Sequence, residues 1–161
     1  LNKFVVFGNS GSGKSTLAKA LALKHDLAHL DLDTVAWRPT SPPERMPILE
    51  SQALINDFVS LHTCWVIEGC YSDLLELALT QASEIIFLNL SVNECINNAK
   101  KRPWEPHKYE SKERQDANLN MLLDWIALYD TREDTFSKVA HLSLYENFEG
   151  QKTMFTNNQH T

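Results

Sequence analysis

Apolar and polar positions alternate along this chain in short blocks whose period switches between that of a strand and that of a helix. Lys3-Phe4-Val5-Val6-Phe7 is a compact apolar run of strand-forming residues. Ser15 to Lys24 (STLAKALALK) follows with Ala, Leu and Lys, all strong helix formers. Leu27 to Asp31 reads as a second strand, and Leu32 to Pro47 holds four prolines, which predicts a loop with little regular structure. Leu49 to His62 is predicted helical, with Ile55, Phe58 and Val59 on one face. Cys64 to Ile67 is a third strand ending at Glu68-Gly69, and Ser72 is placed to cap a helix over Asp73 to Gln81. Glu84 to Leu90 is a fourth strand, and Ser91 caps a helix running to about Lys101. Beyond Pro103 and Pro106, the spacing of Leu119, Leu122, Leu123 and Ile126 predicts one helix over 113–130. Lys138 to Leu144 (KVAHLSL) is taken as the fifth strand, and the polar residues 151–161 as a frayed tail.

Five strands alternating with helices predict an α/β fold, a mostly parallel sheet covered on both faces, in a single domain over residues 1–150. In such sheets ligands bind at the carboxyl ends of the strands. That rule gathers the polar residues at strand ends onto one rim.

The first strand end carries the most specific signal. Gly8-Asn9-Ser10-Gly11-Ser12-Gly13-Lys14-Ser15-Thr16 reads G-x-x-x-x-G-K-S between a strand and a helix, the spacing of a phosphate-binding loop. The glycines let backbone N–H groups turn inward on phosphate, Lys14 reaches the outer phosphates, and the Ser15 hydroxyl is the expected Mg²⁺ ligand. Asp31 and Asp33, two residues apart in extended chain, share a side facing the rim. One is suited to orient a metal-bound water and the other to accept a hydrogen bond from an attacking hydroxyl. Glu68 ends an apolar strand where such proteins hold the metal through water, and Gly69 permits close backbone approach.

Charge sharpens this picture. Fifteen Lys and Arg against 21 Asp and Glu give a net charge of −6, which argues against binding a nucleic-acid backbone. Yet Lys100 to Arg114 (KKRPWEPHKYESKER) carries six basic residues and three Glu, a local +3 consistent with a polyphosphate clamp. Arg102 and Arg132 are the arginines expected to neutralise a moving phosphoryl group. Trp37 and Tyr71 are read either as pocket walls or as core anchors, and His29 and His141 as strand or core residues. Cys64, Cys70 and Cys95 lack metal-ligand spacing and read as free thiols of a reducing cytoplasm. No apolar run is long enough to span a bilayer.

The loop at Gly8–Thr16, D-L-D-x-x-x-W after the second strand, W-V-I-E-G-x-Y-S after the third and K-R in a short basic segment together resemble the adenylate-kinase-like small-molecule kinases. Within them the pattern is most similar to the DNA-topology-modulation-type and shikimate-kinase-like P-loop kinases. The resemblance implies a three-layer P-loop NTPase fold with strand order 2-3-1-4-5, ATP with Mg²⁺, and a lid over residues 102–114 that closes on the phosphates. It implies phosphate contacts at Gly11, Gly13, Lys14, Ser15 and Thr16, acceptor contacts around Asp33 and Glu68-Gly69, and lid arginines at Arg102 and Arg132. Shikimate kinases carry a glycine triplet after the third strand; here Glu68-Gly69-Cys70-Tyr71 stands in its place. The expected activity is phosphoryl transfer from ATP to a small hydroxyl or phosphate acceptor. The alternatives are a nucleoside monophosphate kinase and an ATP-binding regulator without turnover.

Overall fold

The computed structural model describes residues 2–160. Leu1 and Thr161, the outer limits of the expected domain and tail, lie outside the described residues. In chain order the elements are β1 (Lys3–Gly8), α1 (Lys14–His25), β2 (Ala28–Asp31), α2 (Asp33–Ala36), β3 (Trp37–Arg38), β4 (Glu44–Arg45) and α3 (Ile48–Leu61). There follow β5 (Trp65–Gly69), α4 (Ser72–Leu79), β6 (Glu84–Leu88), α5 (Val92–Lys100), α6 (Lys112–Ala117), α7 (Leu119–Ala127), α8 (Lys138–Asn147) and β7 (Gln151–Phe155).

Five strands form one parallel sheet in the order β2-β5-β1-β6-β7, which is 2-3-1-4-5 counted among the strands of that sheet. β1, β5 and β6 are apolar almost throughout because both of their faces are covered. The pleat sends alternate residues to opposite sides. Val5, Phe7, Trp65, Ile67, Ile85 and Phe87 pack on one face, under α3, α4 and α8. Phe4, Val6, Val66, Ile86 and Leu88 pack on the other, under α1, α5 and α7. Among the described residues no helix is long and apolar enough to cross a membrane.

Five expectations are corrected. KVAHLSL is helical: Ser137 accepts from the Ala140 N–H, and His141, Leu144, Tyr145 and Phe148 form a helical stripe against the core. A short run with mixed alternation fits either period, and the cap and stripe decide it. The fifth strand is β7, inside the stretch expected to be frayed, where Gln151 to Phe155 pair in register with Glu84 to Leu88. The helix expected over 113–130 is interrupted at Asn118, a tightened turn whose backbone N–H is shared among the Arg114, Gln115 and Asp116 carbonyls. Ser72 is the first residue of α4 rather than its cap: its hydroxyl pairs with Thr135 Oγ1 at 2.7 Å, and that same Thr135 oxygen accepts from the Asp73 N–H. The proline-rich stretch also holds more structure than expected, namely α2 and the β3–β4 hairpin.

A buried polar link joins the two ends of this core. His141 Nε2 donates to the Cys70 carbonyl at 2.8 Å, so its Nδ1 is the acceptor of the Tyr129 hydroxyl at 2.7 Å. The ring stands edge-on to both Phe7 and Phe87, which stack on each other. Burial lowers its pKa to about 4, against 6.5 for a free histidine. The unfolded chain therefore takes up a proton that the folded one refuses as pH falls from 6.5 to about 4. Stability is present in full above that window and falls within it, which urea unfolding at pH 7 and pH 4.5 measures; His141→Gln removes that part of the slope. Tyr129→Phe leaves Nδ1 unsatisfied and is expected to cost about 1–3 kcal/mol in the same assay at pH 7.

Candidate active site

The carboxyl ends of β1, β2 and β5 open into a cleft of about 630 Å³. The loop from β1 into α1 forms its floor. Gly11 and Gly13 have φ of 79° and 91°, and a Cβ at Gly11 would lie 2.4 Å from the Cys95 carbonyl oxygen on α5. Only glycine fits a backbone that is both left-handed and this close to another chain segment. Gly13 at the N-cap of α1 offers no side-chain cap, so the first N–H groups of the helix have no side chain upon them. Lys14 Nζ donates to the Asn9 carbonyl at 2.8 Å. Ser10, Gly11, Gly13, Lys14, Ser15 and Thr16 face the cleft. Gly8, Asn9 and Ser12 are buried behind them; Asn9 Nδ2 donates to the Ile126 carbonyl at 3.3 Å, tying the loop to α7.

Sheet register brings the carboxylates together. Asp31 on β2 stands opposite Glu68 on β5. Glu68 is 2% exposed, and its two oxygens have separate partners: Ser15 Oγ donates to Oε1 at 3.0 Å, and His29 Nε2 is hydrogen-bonded to Oε2 at 2.8 Å. His29, expected to be a plain strand residue, is therefore part of the site. The signal was its position two residues before Asp31, on the same side of β2.

The other half of the cleft is built around Asp33. Its backbone N–H donates to Asp31 Oδ1 at 2.9 Å. Its Oδ1 accepts from the Tyr71 hydroxyl, which in turn accepts from Trp37 Nε1 at 2.8 Å. Its Oδ2 lies 2.9 Å from Lys108 Nζ, an ammonium also 3.4 Å from Glu105 and 3.9 Å from Asp31. Burial alone would raise the Asp33 carboxyl, but the Lys108 cation and the Tyr71 hydroxyl outweigh it and hold it below the usual range. Asp31 is shifted the other way, upward, by burial and by the neighbouring Asp33 and Glu68. Burial and Asp33 both push the Tyr71 phenol up, and burial pushes the Cys70 thiol up to about 12, so both stay protonated at neutral pH. Tyr71 has 4% exposure while Trp37 has 39%: the first is a core anchor with its hydroxyl in the site, the second a wall. Arg45 on the hairpin backs both rings, its guanidinium 5.0 Å from the Tyr71 centroid, and pairs with Asp73 at 3.1 Å.

The basic segment contributes Arg102 and Lys108 to the cleft, with Arg102 paired to Glu105 at 3.3 Å. In the sequence nothing separates Lys108 from its basic neighbours, and the charge argument points to the arginines instead. Arg132 does not line the cleft. Its guanidinium stacks on Trp125 at 4.6 Å and Phe136 at 5.9 Å and pairs with Asp134 at 3.0 Å, standing behind two aromatic rings that do line it.

The residues fit a polyphosphate with a hard cation. The uncapped N-terminus of α1 and Lys14 suit the phosphates, and the Ser12 hydroxyl is buried with no hydrogen-bond partner in the structure. Ser15 Oγ and the Glu68 carboxylate are the oxygen donors that Mg²⁺ prefers. Among the described residues no group of three or more His, Cys, Asp and Glu forms a metal cage.

These features define an α/β domain with a phosphate loop at the head of its sheet, and comparison with known proteins agrees. Residues 5–118 match the family described as AAA domain, and the chain belongs to that family. A curated relative, the uncharacterized protein YqaC of Bacillus subtilis (strain 168), is 26% identical over 135 residues, spanning 78% of this chain and 71% of that protein. Among solved structures, a gluconokinase from Sinorhizobium meliloti 1021 superposes with a TM-score of 0.55 at 17% identity, covering 98% of this chain and 83% of its own. A sugar kinase from Janibacter sp. HTCC2649 gives 0.53 at 12% identity, with 96% and 84% covered. A shikimate kinase from Bacteroides thetaiotaomicron gives 0.50 at 16%, with 96% and 85% covered. At these identities the likeness is one of fold.

Removing the cation beside Asp33 leaves burial as the largest influence on it. In Lys108→Met the Asp33 carboxyl is expected to titrate at higher pH than in the unaltered protein, read by carbon-13 NMR of its carboxyl signal.

Proposed function

We propose that this chain is a Mg²⁺-dependent kinase that transfers the terminal phosphoryl group of ATP to a small hydroxyl acceptor. The observation that carries the reading is Asp33: an ionised carboxylate, fixed by Tyr71 and Lys108, in the same cleft as an uncapped phosphate loop. Phosphoryl transfer asks for these two things, a cradle for charge and a group that aligns the incoming oxygen.

The roles follow from placement. Gly11, Gly13, Ser15 and Thr16 bind the phosphates through backbone N–H groups, and Lys14 leaves the Asn9 carbonyl to pair with the outer phosphates. Ser15 and Glu68 would hold Mg²⁺, with Asp31 close by, and His29 orients the Glu68 carboxylate. The metal, when bound, neutralises charge on the phosphate oxygens. Asp33 accepts the hydrogen bond of the acceptor hydroxyl and so points its oxygen at the donor. Residues 102–114 act as the lid: Arg102 and Lys108 enter the cleft from it and exclude water while chemistry proceeds. Trp37, Gly69 and Tyr71 shape the acceptor wall. Arg132 acts one layer back, stiffening Trp125 and Phe136.

The fold neighbours named as gluconate, sugar and shikimate kinases support a small hydroxylated acceptor and guide the assay. ADP release is measured with ATP, Mg²⁺ and a panel of sugars, sugar acids, polyols, nucleosides and nucleotides. Acceptor-dependent turnover is expected. Lys14→Ala should lower it by about 10²-fold or more, and Asp33→Asn by about 10²–10⁴-fold. Tight ATP binding with no turnover on any acceptor would instead make the chain a nucleotide-binding regulator.

A further inference from the structure

The segment after β7 returns to the phosphate loop. Asn158 Nδ2 donates to the Ser12 carbonyl at 3.0 Å, and its Oδ1 accepts from Asn98 Nδ2 of α5 at 2.9 Å. That same Asn98 amide donates to the Gly11 carbonyl at 2.8 Å. Two joined carboxamides, from α5 and from the segment beyond β7, thus grip consecutive carbonyls of the loop. Both asparagines also line the cleft.

A trans peptide unit is planar, and its C=O and N–H point in opposite directions. Holding the Gly11 carbonyl therefore orients the Ser12 N–H, which donates to the Asn9 carbonyl at 3.2 Å and fixes that plane from its other edge. Holding the Ser12 carbonyl turns the Gly13 N–H away from Asn158. In a phosphate loop this is one of the donors that must face the anion. The glycines at 11 and 13, at φ 79° and 91°, give these planes little orientation of their own, because glycine rotates freely where other residues do not. Asn158 also packs close enough that a Cβ on Gly13 would stand 2.8 Å from its amide nitrogen.

We infer that Asn98 and Asn158 are positioning residues of the phosphate site: their side-chain amides hold the Gly11 and Ser12 peptide planes so that the loop meets a polyphosphate already oriented. The inference rests on the nucleotide-binding part of the proposed function and not on phosphoryl transfer. The gain is one of preorganisation, since a loop that must order itself on binding spends affinity in doing so.

The experiment is equilibrium binding to the full chain of three probes: ATP, inorganic tripolyphosphate and adenosine. Asn158→Ala, Asn98→Ala and Asn158→Asp are compared with Gln159→Ala as a control. Asn158→Asp keeps the shape but replaces the donor by an acceptor that faces the Ser12 carbonyl, and thermal unfolding reports that each variant is folded. Affinity for ATP and for tripolyphosphate is expected to fall about tenfold in Asn158→Ala and Asn98→Ala, and further in Asn158→Asp. Adenosine binding and the control should not change. Unchanged tripolyphosphate affinity in all three variants would overturn the inference, and so would an equal loss for adenosine and tripolyphosphate. A wild-type chain that binds neither ATP nor tripolyphosphate would overturn the nucleotide reading and this inference together. ATP binding without acceptor turnover would count against the kinase reading alone.

Discussion

The cleft is organised around one buried carboxylate. Glu68 lies near the carboxyl end of β5 with 2% of its surface exposed, and a polar group buried there must be hydrogen-bonded. Its partners come from different elements: His29 from β2 and Ser15 from the first turn of α1. Satisfying Glu68 therefore sets the register of β2 on β5 and the start of α1 relative to both. A slip of one residue would turn His29 and Asp31 to the opposite face. The same requirement ties the phosphate loop to the Asp33 side of the cleft, since Ser15 belongs to one and Glu68 abuts the other.

A glutamate at this position needs such partners more than an aspartate would. It has one further rotatable bond, and so more conformations to lose when held in one place. Two hydrogen bonds, one to each oxygen, remove that freedom. Asp33 is treated in the same manner, with Tyr71 on one oxygen and Lys108 on the other. Electrostatically the two halves of the cleft differ: near Glu68 and Asp31 negative charge accumulates and suits a cation, whereas at Asp33 it is offset by the ammonium of Lys108.

Much of this was legible in the sequence because it is local. The glycine spacing of residues 8–16, the apolar runs of β1, β5 and β6, and the acidic residues at strand ends each declare themselves within a few positions. What stayed hidden depends on distant partners. KVAHLSL carries no periodicity strong enough to separate strand from helix, and what settles it is the Ser137 cap together with a stripe packed on core residues distant in sequence. The strand at Gln151–Phe155 is polar because it lies at the sheet edge, so its composition resembles a tail. Lys108 could not be told from five other basic residues, since only the fold of the segment between α5 and α6 decides which ammonium meets Asp33. Arg132 was misplaced for the complementary reason: guanidinium groups stack on aromatic rings as readily as they bind phosphate.

The grip of Asn158 on Ser12 joins residues 146 positions apart. β1 lies at the centre of the sheet, and its neighbours β5 and β6 arrive some sixty and eighty residues later in the chain. The geometry of the phosphate loop thus depends on segments far along the sequence from it. Contacts this distant are slow to form, because loop-closure entropy is spent before they return any energy. A polyphosphate that binds the finished loop more tightly than the open chain then acts on folding itself, drawing the equilibrium toward the form in which these distant segments have met.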